Sequence, residues 1–332
     1  MIYRAPKYAK AFHCIAEQCR DSCCIGWEIS VDEKSLKRYQ NMRGALGKAI
    51  RESLTEDGCF RLCEGGRCPH LLENGLCRMI CEAGEEVLCD ICREHPRFYN
   101  DLGEVCEWGV GLSCESAARL ILESEESHAL LCEERKEEAE KTAADSTLIS
   151  LLHLEREAIW KLIFGKDFSF EEKLYWVEKR AEALQDFIDF SDISKEVFTF
   201  EYSKSPSEPF LTEERMEEYK SLLLSLEPLC KEWPARCEAI KTPKRLPHSA
   251  PLFERILSYF IYRYFITAAE DGDVLGKAKL SLFSTLMIYA LCESEGRADA
   301  QEIAEAAKDF SKEVEYSEEN TAVLLDAFSA FG

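Results

Sequence analysis

Eight of the 17 cysteines in this 332-residue chain stand at spacings that suit metal coordination. They run Cys14-x4-Cys19-x3-Cys23-Cys24, then Cys68-x8-Cys77, then Cys92 and Cys114. Thiolates are soft ligands, and four around one centre suit zinc or an iron–sulfur cluster. Close pairs on turns reduce the entropy of assembling a site, and the distant cysteines close it across the fold. Eight ligands suffice for two four-thiolate sites, or for one site with spare thiols. Spacing alone leaves zinc and iron both open. Cys59, Cys63, Cys81, Cys89, Cys106 and Cys132 read as small hydrophobes. His13, His70 and His95 flank the motif and read as outer or surface groups.

The elements that must position these thiols fall into two regions. Fourteen cysteines lie between Cys14 and Cys132, and only Cys230, Cys237 and Cys292 follow. Residues 1–120 carry a net charge of −3, against −19 for the remainder. Both shifts predict a cysteine-rich metal-cluster domain over residues 1–125 and a helical domain over residues 126–332. Glu123 to Asp145 reads as a charged linking helix. In the first region, Gly65-Gly66 and Asn74-Gly75 are turn signals. The pieces starting at Phe60, Cys68 and Leu76 are expected to form a small hairpin whose cysteines face one centre. The stretch Val31 to Tyr39 reads as a helix capped by Asp32. In the second region Leu174, Val177, Ala181, Leu184 and Ile188 form the stripe of a core-facing helix. Leu148 to Phe164 and Leu280 to Leu291 show similar stripes, and seven prolines from Pro206 to Pro251 mark breaks between helices. The expected fold class is mainly α, a loop and short-hairpin head with helices followed by an all-α bundle.

The net charge of −22 argues against a general nucleic-acid binder, since phosphates are repelled at long range. The longest apolar run, Ile256 to Ala269, is interrupted by Arg263, so no membrane partner is expected. The first residues lack the apolar stretch of a secretion signal. A cytoplasmic chain is expected, where dense cysteines bind metal or do redox chemistry rather than form disulfides.

The opening Phe12-His-Cys14-Ile-Ala-Glu-Gln-Cys19-Arg-Asp-Ser-Cys23-Cys24-Ile-Gly-Trp27 resembles the start of the flagellin lysine N-methylase family. So do Cys68-Pro-His-Leu71 with Gly75-Leu-Cys77, then Cys92-Arg-Glu-His-Pro96-Arg97, then Leu112-Ser-Cys114-Glu-Ser-Ala-Ala-Arg119. Tyr259 to Phe265 resembles that family's later helical segment. The resemblance implies a methyltransferase that uses S-adenosylmethionine to methylate lysine ε-amines of flagellin. It also implies a cysteine-bound iron–sulfur cluster, of the 4Fe-4S type, with zinc as the alternative metal. By matching position, the ligands it implies are Cys14, Cys19, Cys23, Cys24, Cys68, Cys77, Cys92 and Cys114.

The usual methyltransferase sheet needs a glycine-rich turn between strand and helix. Gly109-Val-Gly111 and Gly65-Gly66 lack that setting. The Cys-x3-Cys-x2-Cys pattern of common radical enzymes begins at Cys19 and at Cys77, but Gly26 and Gly84 occupy its third position. Cluster ligands are therefore expected from separated blocks, near Arg93 and Arg97. Those arginines could hold the cofactor carboxylate or pair with nearby acids. Trp27 is a candidate for stacking on the cofactor or for the core. Arg263, in an apolar run, is a further cofactor candidate and is expected to snorkel to water. The competing reading is a non-enzymatic zinc or cluster module that docks a partner; a redox sensor using the spare thiols is a third.

Overall fold

A computed structural model describes residues 1–27, 29–135, 144–203 and 205–329. Strand β1 (Ile2–Pro6) leads into a single turn, α1 (Lys7–Lys10), and then a long loop that carries the first four cysteines. The head continues through β2 (Ile29–Ser30), α2 (Glu33–Asn41), α3 (Gly44–Ser53), β3 (Cys59–Phe60), α4 (Arg78–Ala83) and α5 (Asp90–Glu94). Next come β4 (Arg97–Asp101), β5 (Val105–Val110), α6 (Glu115–Glu123) and β6 (Leu130–Glu134).

After these the chain is helical: α7 (Ser146–Phe164), α8 (Phe170–Phe190), α9 (Glu213–Ser225), α10 (Trp233–Glu238) and α11 (Pro251–Tyr264). A short α12 (Ala268–Asp271) precedes α13 (Val274–Glu295), α14 (Ala300–Glu315) and α15 (Glu318–Phe328). The protein is thus mainly helical, with its described strands confined to the first 134 residues.

The expected cap forms: Asp32 accepts the Ser35 N–H at 2.8 Å and starts α2. Its other oxygen accepts the Asp90 N–H at 2.9 Å, which ties α2 to the start of α5. The stripe of Leu174, Val177, Ala181 and Leu184 is fully buried along α8. Helix α13 is apolar on every side because it packs against α8, α11 and α15 at once. By length and composition it could cross a membrane, but 89% of its apolar window is buried inside the fold.

The linking helix expected over Glu123 to Asp145 is not what forms. Helix α6 ends at Glu123, and Leu130–Glu134 is a strand antiparallel to β1. Residues 136–143 lie outside the described set. The sheet order is β4-β5-β1-β6, with β1 parallel to β5 and β4–β5 a hairpin. A side-chain turn makes the hairpin: Asp101 accepts the Gly103 N–H at 2.9 Å, and Gly103 takes the left-handed φ of +83°.

Apolar side chains bury in two clusters. A small one collects Ile29, Val31, Tyr39, Ile50, Phe60, Met79 and Leu88 with several cysteines. The large one runs from Ala5 and Tyr8 through Val110 and Ile121 into all the later helices. Charge is buried with it. Glu107 on β5 has no exposure and accepts two hydrogen bonds from Arg156 of α7, at 2.5 and 2.6 Å. Arg4, its neighbour across β1, and His153 also reach it, at 3.3 and 3.1 Å. Burial alone would raise the Glu107 carboxyl, but the Arg156 guanidinium holds it well below the usual carboxylate range.

Replacing one partner strands the other charge in the core. Arg156→Met should lower the unfolding free energy by roughly 3–5 kcal/mol. Lys37→Met, which removes an exposed pair with Glu33, should change it by less than about 1 kcal/mol. Urea denaturation of the two variants beside the parent protein checks the contrast.

Candidate metal centre

A short ladder brings distant cysteines together. Ile25 bridges Arg67, the Gly26 N–H reaches the Gly66 carbonyl at 3.0 Å, and the Cys68 N–H reaches the Cys24 carbonyl at 2.8 Å. Both glycines have positive φ, +94° at Gly26 and +69° at Gly66, a backbone conformation that favours glycine at this bridge. Of the three pieces expected to form a hairpin, those at Cys68 and Leu76 pair, with Leu71 bridging Cys77 and the Arg78 N–H bonding the His70 carbonyl at 2.8 Å, whereas Phe60 pairs with Ile29 in the β2–β3 ladder. Cys77, Cys89 and Cys114 each occupy the residue before a helix, α4, α5 and α6 respectively. None makes a full capping hydrogen bond, yet nearby backbone N–H groups favour each thiolate.

The eight expected ligands gather into two groups. Cys14, Cys19, Cys23 and Cys114 feel one another's charge. Cys24, Cys68, Cys77 and Cys92 form the other group, and Cys89 joins it. These last five pack within the small apolar cluster, whereas Cys114 packs against the large one. Two sulfur contacts stand out, Cys23 with Cys24 and Cys89 with Cys92. Burial pushes Cys68 up to about 12 and Cys114 up to about 11. Crowded thiols in this setting cannot all ionise without a compensating cation. Among the described residues, no three His, Cys, Asp or Glu side chains close on the coordination sphere of a single ion.

Charged residues pin the first cysteine loop to the helices. Asp21 pairs with Lys308 at 2.6 Å and Lys312 at 2.9 Å, both on α14. Buried Glu115 accepts the Arg20 backbone N–H at 2.8 Å and its guanidinium at 3.3 Å, and lies 3.8 Å from the Cys19 sulfur. Ala16 in this loop adopts a left-handed φ of +48°.

Beside the first group stands an aromatic wall. Half-buried Trp27 stacks on Tyr316 with ring centres 4.8 Å apart and donates its indole N–H to the Cys23 carbonyl. The Tyr316 hydroxyl is 3.2 Å from the His95 ring. Arg263 does not snorkel. It bonds the Tyr259 hydroxyl at 2.9 Å and Glu315 at 3.1 Å, and lies over Phe98, because the buried carboxylate on α14 is within its reach. Arg93 is engaged by Asp90 and Glu94. Arg97 lies over Phe12, two residues ahead of Cys14, and makes no ion pair among the described residues. His13 is exposed, and His70 is buried with its Nε2 3.0 Å from the Ser53 hydroxyl.

A stretch of 134 residues, 38% of the chain, is 27% identical to the lysine-N-methylase of Salmonella typhimurium strain LT2. The likeness is to lysine-N-methylases. The protein of that name from Salmonella choleraesuis matches to the same extent, and in both cases the match spans 33% of the relative's length. The flagellar biosynthetic protein FliU of Salmonella muenchen is also 27% identical over 134 residues, which is 79% of its own length. No protein-family profile matches the chain, and no solved structure does.

Besides the residues that the sequence points to, the structure adds Cys89, Glu115, Glu315 and Tyr316 to the surroundings of the cysteine blocks. Cys89-x2-Cys92 was a legible signal, since two cysteines at that spacing are a common ligand pair. The other three lie far along the chain from most of what they touch, and nothing local marks them.

Burial, aided by the charges of Arg78 and Lys312 respectively, lowers His70 and His95 to about 4. The unfolded chain protonates both rings near 6.5, so between those values it binds more protons than the fold. Stability is therefore fully present above about pH 6.5 and falls as pH drops toward 4, on the order of 3 kcal/mol per ring. Urea midpoints measured across that window should decline with acidification, and less steeply in His95→Phe.

Proposed function

We propose that this protein is an S-adenosylmethionine-dependent protein-lysine N-methyltransferase acting on flagellin, with an iron–sulfur cluster held by its cysteines. The observation that carries this reading is the gathering of thiols from four sequence blocks beside Trp27, Tyr316 and the unpaired Arg97. The names of the Salmonella relatives supply the reaction and the flagellar link. An all-sulfur donor set fits an iron–sulfur cluster, which when bound supplies redox chemistry or an open coordination position.

The chain's own residues then have separate tasks. Arg97 pairs with the carboxylate of the methyl donor through charge-assisted hydrogen bonds, a task for which Arg93 is already engaged by acids. Trp27 and Tyr316 offer an aromatic wall to the sulfonium. Methyl transfer breaks a sulfur–carbon bond and forms a nitrogen–carbon bond, and the lysine must shed its proton to do so. The acidic surface of the helical part draws lysine-bearing substrates toward the protein.

One observation favours the non-enzymatic alternative. A cleft of about 650 Å³ opens at the start of α8, lined by Ser169, Glu171, Phe210 and His248, and no cysteine borders it. A module that docks a partner there would need no methyl donor.

Protein purified without oxygen, incubated with flagellin, reductant and S-adenosylmethionine, separates the two. Mass spectrometry of flagellin lysines should show added methyl groups; none on metal-loaded protein would sink the enzyme reading. Arg97→Met should raise KM for S-adenosylmethionine by about 10- to 100-fold with metal content unchanged. Arg93→Met should leave KM within about twofold.

A further inference from the structure

We propose that residues 197–202 form a docking edge for an extended basic peptide, which adds to them as a strand and reaches toward the acidic cleft at the start of α8. This goes beyond the proposed reaction and does not depend on it, since no cysteine takes part.

The segment has the makings of a strand and no partner. Val197-Phe-Thr-Phe-Glu-Tyr202 holds five β-branched or aromatic residues in six. Its side chains alternate, with Phe198, Phe200 and Tyr202 half-buried and Val197, Thr199 and Glu201 exposed. Yet it joins neither sheet, and no backbone N–H or carbonyl of 197–202 has a hydrogen-bond partner among the described residues. Such a free edge is a template for pairing with another chain.

The inward rings fix the segment on α8. Arg180, itself buried and bonded to Glu155 at 2.7 Å, serves all three. Its guanidinium is 5.6 Å from the ring centres of Phe198 and Phe200, and 5.7 Å from that of Tyr202. Phe187 packs on Phe198 with ring centres 5.5 Å apart. Towards the start of the helix, the Tyr175 and Ser207 hydroxyls are 2.7 Å apart, and Glu171 accepts the Leu211 N–H at 3.1 Å. The chain thus runs back along α8, and the free backbone groups stand on a frame that is already in place. A peptide that pairs there pays little to order its partner.

The surroundings choose the occupant. Phe190 and Val197, 85% and 84% exposed, stand on either side of the turn that precedes the segment. Asp189, Glu196 and Glu201 make no ion pair among the described residues, and Lys195 is held by Asp192 at 2.6 Å. At the other end, the cleft is lined by Glu171, Glu172 and Glu208, and by no lysine or arginine among the described residues. A strand that alternates cationic and apolar side chains matches this surface. A second copy of the chain does not, because each brings a net charge of −22.

Hydrogen exchange of the full-length protein, read by mass spectrometry, tests the proposal with a peptide of about ten residues alternating lysine and valine. In the free protein the amides of 197–202 should exchange at nearly the rate of an unstructured chain. Saturating peptide should slow about half of them, those on the paired edge, by about tenfold or more. The Glu201→Lys/Glu208→Lys variant, changed only at exposed positions, should bind the labelled peptide about tenfold more weakly by fluorescence anisotropy, with circular dichroism unchanged. The proposal is overturned by a peptide that fails to bind, or that binds without slowing those amides. It is equally overturned by one that binds the variant as tightly, or that binds no better than its glutamate–valine counterpart. Slow exchange in the free protein that fades on dilution would also sink it, since a second copy would then already hold the edge.

Discussion

Glu107 is a carboxylate with no access to water, and its compensation organises the molecule. Arg156 brings α7 onto the sheet, and Arg4 locks β1 beside β5. Tyr262, whose ring faces the Arg156 guanidinium, donates between the strands to the carbonyls of Arg4 and Trp108, at 3.0 Å each. That sets the position of α11. From α11, Tyr259 and Arg263 reach Glu315 at the end of α14, and Lys308 and Lys312 on α14 hold Asp21 in the first cysteine loop. A buried pair contributes little net stability on its own. Here it sets geometry, and the placement of the thiols follows from it through side chains that each have a named partner.

The thiols themselves carry the opposite problem. Their charges are like, their surroundings are apolar, and helix starts at Cys77, Cys89 and Cys114 relieve only part of the cost of ionising them. Paired sulfurs share protons instead: Cys24 ionises more readily because Cys23 donates to it, and Cys89 because of Cys92. On the proposed reading, a soft cation replaces those protons and turns repulsion into coordination. The gathering makes physical sense as a binding site and is hard to account for as ordinary core packing.

Much of this was legible in the sequence, for reasons that differ by region. Asp32 capped its helix and the apolar stripe of α8 turned inward because both signals are local. The four-stranded sheet was not legible. Its strand β1 pairs with β5 and β6 across a hundred residues or more, and pieces such as Leu130–Glu134 carry no alternation to separate them from a charged helix. The hairpin at Gly103 leaves a trace in the sequence, an Asn100-Asp-Leu-Gly turn just after Phe98-Tyr99. At the site, the cysteine blocks could be chosen from spacing alone. Their sorting into two groups could not, because Cys23 and Cys24 are neighbours in sequence and separate only when their packing partners are known. Nor does anything local to Arg263 mark its partner, since that carboxylate, Glu315, lies 52 positions further on.

The pairing of Asp21 with Lys312 spans 291 residues. A ribosome releases the first cysteine loop long before it makes the helix that holds it. Cys14, Cys19 and Cys23 must therefore wait, reduced and undocked, through nearly the whole of synthesis. Their surroundings are completed only when α14 packs down, with Tyr316 closing over Trp27 just after it. The small cluster around Phe60 and Leu88 needs nothing beyond its own hundred residues. The molecule thus has a built-in order of assembly, in which the thiols of the small cluster can be organised early and those of the first loop last.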